Sequence, residues 1–328
     1  MSTDSKIESP KKSLTKTQII DQVMSKWGIY IALLLLIILM AAIAPNFLSI
    51  KNGLNIAQAV SINAVIAAGM TVVILTAGID LSVGSIVAAS GVATVLLLND
   101  SIPTPIAALV AILVGAAIGL VNGAIIAYLA LPAFIVTLGA LTYTRGIAYS
   151  LHGGPVQIAG ESGIESIGNG SIGGVPMPVF IMIFVYVFFW FLLERTKFGR
   201  HVYAVGGNAQ AARLSGIDVK RVLMTVYIIC GITAGLAGLM FASRVRSGQV
   251  TAGVGYELDA ITAVILGGTS LFGGRGRIFG TLIGALLIGV LSNGLVLMGV
   301  PIYTQLMVKG SVIIFAVAID TLRSKPST

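Results

Sequence analysis

Long apolar segments follow one another along almost the whole chain, and few charged residues separate them. Of the 328 residues, 56% are hydrophobic and 10% are charged, whereas soluble domains carry about 25% charged residues. So few ionic side chains cannot cover the surface of a soluble protein of this length. The pattern excludes an ordinary soluble enzyme, a disulfide-stapled secreted domain and a disordered chain.

Ten of these segments approach the roughly 20 residues that a helix needs to cross a bilayer. We therefore predict an all-α, polytopic helical membrane protein with about ten transmembrane helices in a single domain over residues 28–320. The segment 257–271 is short enough for a broken or re-entrant helix. The ten segments lie at 28–44, 58–78, 83–98, 105–130, 134–151, 178–194, 222–243, 257–271, 278–299 and 302–320.

Basic residues cluster in the polar N-terminal tail, residues 1–27, and in the segment 195–221. Lys and Arg remain on the cytoplasmic side of a membrane, so the net charge of +8 indicates orientation. With ten spans, both termini lie in the cytoplasm, including the C-terminal tail 321–328. No basic helix is interleaved with stacking aromatic residues, so we expect no nucleic acid as a partner.

The two halves of the chain echo each other at three places, in the same order. The echoes pair 76–88 with 251–263, Gly119–Gly123 with Gly289–Gly294, and Arg145-Gly146 with Lys309-Gly310. In the predicted topology the two copies run in opposite directions, which is typical of inverted-topology repeats with a substrate path at their interface. We predict repeats at about 53–151 and 222–320. The alternative is a likeness of composition between glycine-rich helices.

Glycines recur at every fourth position at Gly115, Gly119 and Gly123. Small residues at this spacing let two helix backbones approach closely in a membrane, where no hydrophobic effect drives helices together. The spacing therefore predicts a tightly packed helix pair.

The loop 195–221 contains the sequence of a short amphipathic helix over residues 208–216. Asn208 is a suitable N-cap and Gly216 a suitable C-terminal stop. We expect Ala211, Ala212, Leu214 and Ile217 to provide its apolar contacts. Such a helix suits docking to a peripheral cytoplasmic protein. The alternative is a passive helix at the membrane surface.

Sequence motifs for catalysis are missing. The chain contains no GxxxxGK[ST] phosphate loop, and the spacing of Gly273–Gly276 predicts a tight turn rather than a nucleotide loop. His152 and His201 are expected on opposite sides of the membrane, so they cannot share a metal site or a catalytic triad. We expect a non-catalytic chain that holds neither cofactor nor metal.

Three motifs are similar to those of the ribose- and galactose-type sugar permeases of bacterial ABC importers. They are GIDLSVGS at 78–85, GGNAQAARLSG at 206–216 and GYELDAITAVILGGTSLFGGRGRIFGTLIG at 255–284. The resemblance extends from about Ile29 to Asp320. It implies a permease of the bacterial inner membrane that pairs as a homodimer and receives sugar from a periplasmic sugar-binding protein.

The resemblance also implies a separate cytoplasmic ATPase subunit, which binds ATP and Mg and docks on the coupling loop 206–216. The residues expected to couple the ATPase are Gly206, Gly207, Asn208, Ala211, Ala212, Arg213, Leu214, Ser215 and Gly216.

Ionisable residues inside membrane spans are costly and usually functional, which draws attention to Arg145 and Lys309. They line the path, pair with a carboxylate such as Asp80 or Asp259, or extend to the membrane surface; all three roles stay open. Asparagine amides in the spans either bond sugar hydroxyls or bridge helices. The candidates for the translocation path are Asp80, Ser82, Asn122, Arg145, Glu257, Asp259, Asn293 and Lys309.

The leading hypothesis is a permease subunit that moves a monosaccharide, ribose or a related sugar, into the cytoplasm while a separate ATPase drives it. The alternative is an ion-gradient-driven secondary transporter or channel for a small polar solute. That alternative fits inverted repeats and buried charges, but it leaves the loop 195–221 unexplained. An intramembrane enzyme is disfavoured because no nucleophile–base pair is visible, and branched-chain amino acids are a weaker substrate option than sugars.

Overall fold

A computed structural model of the chain describes residues 16–324. Two short antiparallel strand pairs, β1 (Val156–Gln157) with β4 (Ser247–Gly248) and β2 (Ser171–Ile172) with β3 (Val175–Pro176), accompany a bundle of helices. The helices are α1 (Lys16–Ile43), α2 (Ile50–Leu75), α3 (Val83–Asn99), α4 (Thr104–Leu129), α5 (Ala133–Leu151), α6 (Glu165–Gly168), α7 (Met177–Arg195), α8 (Lys197–Gly207), α9 (Ala209–Leu214), α10 (Val219–Val245), α11 (Tyr256–Leu266), α12 (Ile278–Leu297) and α13 (Ile302–Ser324).

Each of the ten predicted segments overlaps one helix, which confirms the all-α polytopic prediction. Helices α2, α4, α7, α10 and α12 are long and apolar enough to cross a membrane, and α1, α3 and α13 contain shorter apolar stretches. With 11 residues, α11 is about 17 Å long, roughly half of a ~30 Å bilayer core. The segment 257–271, which was expected to be broken or re-entrant, thus contains a helix too short to cross the core by itself.

Two helix boundaries differ from the sequence analysis. Helix α1 begins at Lys16, so residues 16–27 of the predicted polar tail are helical, while residues 1–15 lie outside the described part of the chain. The stretch 16–27 contains neither Pro nor Gly, so the helix continues beyond its apolar part. Helix α13 extends past the predicted limit at 320 to Ser324, and residues 325–328 also lie outside the description.

Helices α2 and α10 form the centre of the bundle. Of the most apolar stretch of each helix, 83% is buried in α2 and 61% in α10, against 33% in α4 and α7. The outer helices expose large apolar side chains, for example Leu35 on α1, Tyr143 on α5 and Phe315 on α13. These faces suit contact with membrane lipid.

Helices α4 and α10 pack antiparallel, backbone against backbone. A Cβ atom on Gly115 would overlap the carbonyl of Gly231, and one on Gly119 would overlap the carbonyl of Tyr227. The close approach predicted from the glycine spacing is therefore confirmed, and its partner is a helix more than 100 residues away in the chain.

Helices α2 and α10 also run antiparallel. Near the start of α2, Gln58 Nε2 donates to the carbonyl of Gly168 at 2.7 Å, and the amide of Gly168 donates to Ser243 Oγ near the end of α10 at 2.7 Å. Beyond the end of α2, Tyr227 Oη, near the start of α10, donates to the carbonyl of Ile79 at 3.4 Å.

The helix contacts of the two halves correspond. Helix α2 packs against α11 and α12, and α10 packs against α3 and α4. Since α2 and α10 are the first helices of the two predicted repeats, their opposite directions and matching neighbours are what inverted repeats require.

Candidate functional site

The predicted short helix in the loop 195–221 is present as α9. Asn208 caps it, because its Oδ1 accepts the amide of Ala211 at 2.9 Å. The helix ends at Leu214, where Gly216 adopts a φ of +84° and the amide of Ile217 donates to the carbonyl of Ala212 at 3.1 Å. Gly216 supplies the left-handed conformation that this C-terminal motif needs.

Of the four predicted apolar contacts of α9, those of Ala212 and of the half-buried Ile217 are confirmed, and those of Ala211 and Leu214 are wrong. Ala212 is buried in the hydrophobic core with Val219 and Val222, whereas Ala211 is exposed and Leu214 is 91% exposed. Because α9 has only six residues, only one narrow face of it contacts the rest of the protein. Ala212 lies on that face. The other residues of α9, including Leu214, are exposed.

Helix α8 directly precedes α9 and was missed in the sequence analysis. Its signals are a Thr196 cap, whose Oγ1 accepts the amide of Gly199 at 3.2 Å, and the buried pair Val202 and Val205. Tyr203 Oη donates to the carbonyl of Gly276 at 3.0 Å. Burial raises the pKa of Tyr203, so the hydroxyl keeps the proton that it donates.

Lys309 pairs with a carboxylate inside the bundle. Its Nζ lies 2.8 Å from Asp259 Oδ2, and Asn63 Nδ2 donates to the same oxygen at 3.3 Å. The three side chains come from α13, α11 and α2. Of the roles left open for Lys309, the structure contains the pairing with Asp259.

Arg145 does not pair with Asp80 or Asp259. Its Nη1 donates to the backbone carbonyls of Val250 and Ala252, both at 2.7 Å. These carbonyls belong to the segment between α10 and α11. The guanidinium of the first predicted repeat is therefore held by the backbone of the second predicted repeat.

Asp80, Ser82 and Asn122 form one buried cluster at the start of α3. Asp80 Oδ1 accepts the amide of Ser82 at 2.9 Å and its hydroxyl at 2.6 Å, and Asn122 Nδ2 donates to Ser82 Oγ at 3.0 Å. Asp80 and Ser82 have no exposed surface, and Asn122 is 2% exposed. The cluster joins α3 to α4.

Asn293 also bridges helices. Its amide and that of Asn52 exchange two hydrogen bonds, of 3.0 and 2.9 Å, which join α12 to α2. Of the two roles left open for the asparagines, the structure contains the bridging role at both positions.

The starts of the short helices α3 and α11 lie against each other inside the bundle. A Cβ atom on Gly84 would overlap the carbonyl of Gly253 and approach the carboxylate of Glu257, which accepts the amide of Gly255 at 3.3 Å. An open cavity of about 290 Å³ at the surface borders the same segment, with Gly253, the exposed Val254 and Tyr256 in its lining. Interrupted helices that meet at the interface of two repeats are typical of transporter folds built from inverted repeats.

The eight path candidates thus separate into four places. Glu257 and Arg145 lie near the cavity, Asp259 pairs with Lys309, and the remaining two groups connect helices. In residues 16–324, no three His, Cys, Asp or Glu side chains are arranged to hold a metal ion.

A family model described as the permease component of the branched-chain amino acid transport system matches residues 52–317. The matched range is well over half of the chain. The chain belongs to this permease family. Together with its apolar helices, this membership makes the permease a multi-pass protein of the inner membrane.

Curated relatives of the permease are similar over most of its length. It is 48% identical over 294 residues to the ribose import permease protein of Escherichia coli strain K12, covering 88% of this chain and 92% of that one. It is 45% identical over 306 residues to the ribose import permease protein of Bacillus subtilis strain 168, covering 93% and 95%.

The D-allose transport system permease protein of Escherichia coli strain K12 is 40% identical over 302 residues, covering 92% of this chain and 93% of that one. No solved structure gives a significant match. The resemblance to sugar permeases of ABC importers, inferred from the three motifs, is confirmed.

Proposed function

We propose that this permease carries ribose, or a closely related monosaccharide, into the cytoplasm as the membrane subunit of an ABC importer. The observation that supports ribose is the 45–48% identity to ribose import permeases over about nine tenths of the chain. The D-allose relative, at 40% identity, makes allose the first competitor to test.

The energy for transport comes from a separate ATPase subunit that binds ATP and Mg and docks on α9. The exposed Arg213 and Leu214 on one rigidly capped helix support this role. Closure of the ATPase moves α9 and changes the relative stability of the inward-open and outward-open states, since a partner shifts an equilibrium only by binding its two states unequally. The permease itself is non-catalytic.

In the assembled importer, two copies of the permease pair in the membrane. The α8–α9 end and both termini face the cytoplasm, in agreement with the basic residues of 195–221. The opposite end, with β1–β4 and α6, faces the periplasm and receives sugar from a sugar-binding protein.

The test is uptake by proteoliposomes that contain the permease, its ATPase and its sugar-binding protein. We expect ATP-dependent accumulation of labelled ribose that excess unlabelled ribose abolishes and leucine leaves unchanged. Accumulation of labelled allose or leucine without ribose would reassign the substrate. Concentrative uptake by the permease alone, driven by an ion gradient, would overturn the ATP-driven function.

The docking role of α9 is tested in the same preparation with Leu214→Ala. Affinity for the ATPase should fall about tenfold or more, because burying a leucine side chain stabilises by about 1.5–3 kcal/mol. Leu48→Ala is the control, since Leu48 is 75% exposed but precedes α2 at the opposite end of the bundle. Equal affinities of the two variants would exclude Leu214 from the docking surface.

A further inference from the structure

Three segments distant in sequence meet behind α9 without intervening side chains. They are the end of α2 at Leu75 and Ala77, the end of α8 at Gly206, and the loop after α11 at Gly273 and Gly274. The amide of Gly274 donates to the carbonyl of Leu75 at 2.9 Å. We call these five residues the glycine junction.

Gly206 leaves no room for a side chain at this junction. A Cβ atom there would overlap the carbonyl of Leu75 and lie 2.6 Å from the amide nitrogen of Gly274. Gly273 is equally enclosed, because its Cβ atom would lie 2.8 Å from the carbonyl oxygen of Gly206 and 2.9 Å from the amide nitrogen of Ala77. The three backbones are in direct contact.

A second contact, between α8 and the loop after α11, braces the junction. Tyr203 Oη donates to the carbonyl of Gly276. The same loop is tied to α13 as well, because the amide of Leu271 donates to Asp320 Oδ2 at 3.1 Å. The backbone contacts at Gly206 and Gly273 have no rotamers that could absorb a displacement. Close-packed protein interiors transmit strain.

The junction stands between α9 and both halves of the bundle. Gly206 lies two residues before Asn208, the cap of α9. Ala77 lies in the connection from α2 to the Asp80–Ser82 cluster that starts α3. The loop with Gly273 and Gly274 connects α11 to α12. A displacement of α9 therefore reaches one short helix in each repeat, and the starts of these two helices meet at Gly84 and Gly253.

We propose that the glycine junction transmits the movement of α9 to α3 and α11 together, with Gly206 and Tyr203 as positioning residues for transport. The inference rests on the proposed ATP-driven function. It goes beyond docking, because it concerns residues behind the docking helix that do not have to touch the ATPase.

The test compares Gly206→Ala with the unchanged permease in the complete reconstituted importer. We expect the sugar moved per ATP hydrolysed to fall roughly 2- to 30-fold in the variant, as for coupling changes of about 0.5–2 kcal/mol. The control is Gly53→Ala, also a glycine-to-alanine change in a helix, whose Cβ atom would have no neighbour within 4 Å.

Tyr203→Phe keeps the ring and removes one hydrogen bond, so it preserves folding if Gly206→Ala does not insert. It should also lower the sugar moved per ATP, by a smaller factor than Gly206→Ala.

The proposal would be overturned if the sugar moved per ATP is unchanged in Tyr203→Phe and in any inserted Gly206→Ala protein. Loss of ATPase binding in Tyr203→Phe, which lies outside the predicted coupling loop 206–216, would also overturn it, since the junction would then support docking instead. If the unchanged permease moves no sugar with ATP, the proposed function fails before the junction is tested.

Discussion

Arg145 and Lys309 occupy echoing positions in the two halves of the chain, yet different groups hold them. Lys309 pairs with Asp259 on α11 of its own repeat. When the echoing sequences 76–88 and 251–263 are aligned, the position of Asp259 corresponds to Gly84 on α3. The first repeat thus has no carboxylate at the position that corresponds to Asp259. Arg145 donates instead to the carbonyls of Val250 and Ala252 in the second repeat.

The echoing glycines differ in the same manner. Gly119 on α4 lies against the backbone of Tyr227, whereas for Gly289 on α12 the three nearest atoms belong to the side chain of Val60. At this echoing position the first repeat makes a rigid contact with a helix backbone, whereas the second repeat contacts a side chain that can relax by a small displacement. The echoing sequences thus place similar residues at matching positions in the two halves. The helices that surround each position determine which group the residue contacts.

The largest effect is expected at the ion pair. Asp259→Ala leaves the ammonium of Lys309 partly buried without its carboxylate, and breaking a buried pair costs about 3–5 kcal/mol. Thermal unfolding in detergent can be followed with a thiol-reactive dye, because the single cysteine, Cys230, is buried. Asp100→Ala is the control at an exposed carboxylate.

The double variant Asp259→Ala/Lys309→Met should recover most of the lost stability, since it leaves no unpaired charge. Unfolding of Asp259→Ala at the temperature of the control would show that the pair contributes nothing to the fold.

A medium effect is expected at the echoing glycines. Gly119→Ala forces a methyl group against the Tyr227 backbone, and overpacking of this kind costs about 1–3 kcal/mol. Gly289→Ala should cost less, because it displaces the side chain of Val60 rather than a helix backbone. The same dye assay compares the two variants directly, and an equal loss of stability would remove the distinction between rigid and relaxing contacts.

The smallest effect is expected for Arg145→Lys. Lysine retains the charge but not the planar group that reaches two carbonyls, so the loss should be about 1 kcal/mol, the worth of one hydrogen bond. Arg145→Met, which also removes the charge, should unfold at a lower temperature than Arg145→Lys. If both variants match the unchanged permease, the bonds to Val250 and Ala252 do not stabilise the connection between the repeats.

Local sequence was sufficient for much of the fold. Apolar length located ten helices, the cap at Asn208 and the stop at Gly216 located α9, and the spacing of Gly115 and Gly119 predicted a close helix pair. Each of these signals lies within one continuous segment: the caps and the glycine spacing act over one or two helical turns, and the apolar length acts over one helix. Helix α8 was missed because its apolar face is short and lies within a polar segment. The N-cap residue Thr196 could have indicated where it begins.

The site depended on long-range contacts that no local pattern contains. The exposure of Leu214 followed from Ala212 occupying the single supported face of α9. Three roles were left open for Arg145, and none of them named its actual partners, which are backbone carbonyls more than 100 residues away. Backbone carbonyls are present at every residue, so composition does not mark which of them will be available to an arginine.

Charge, hydropathy and capping residues thus specify a membrane protein of about ten helices with a short exposed helix between two of its spans, because these properties act within a helix or against the bilayer. Only the packed bundle decides which polar groups meet: Asp259 with Lys309, Asn52 with Asn293, and Gly206 with Leu75 and Gly274. Such groups lose contact with water in the membrane and must find partners wherever the crossing of helices brings them.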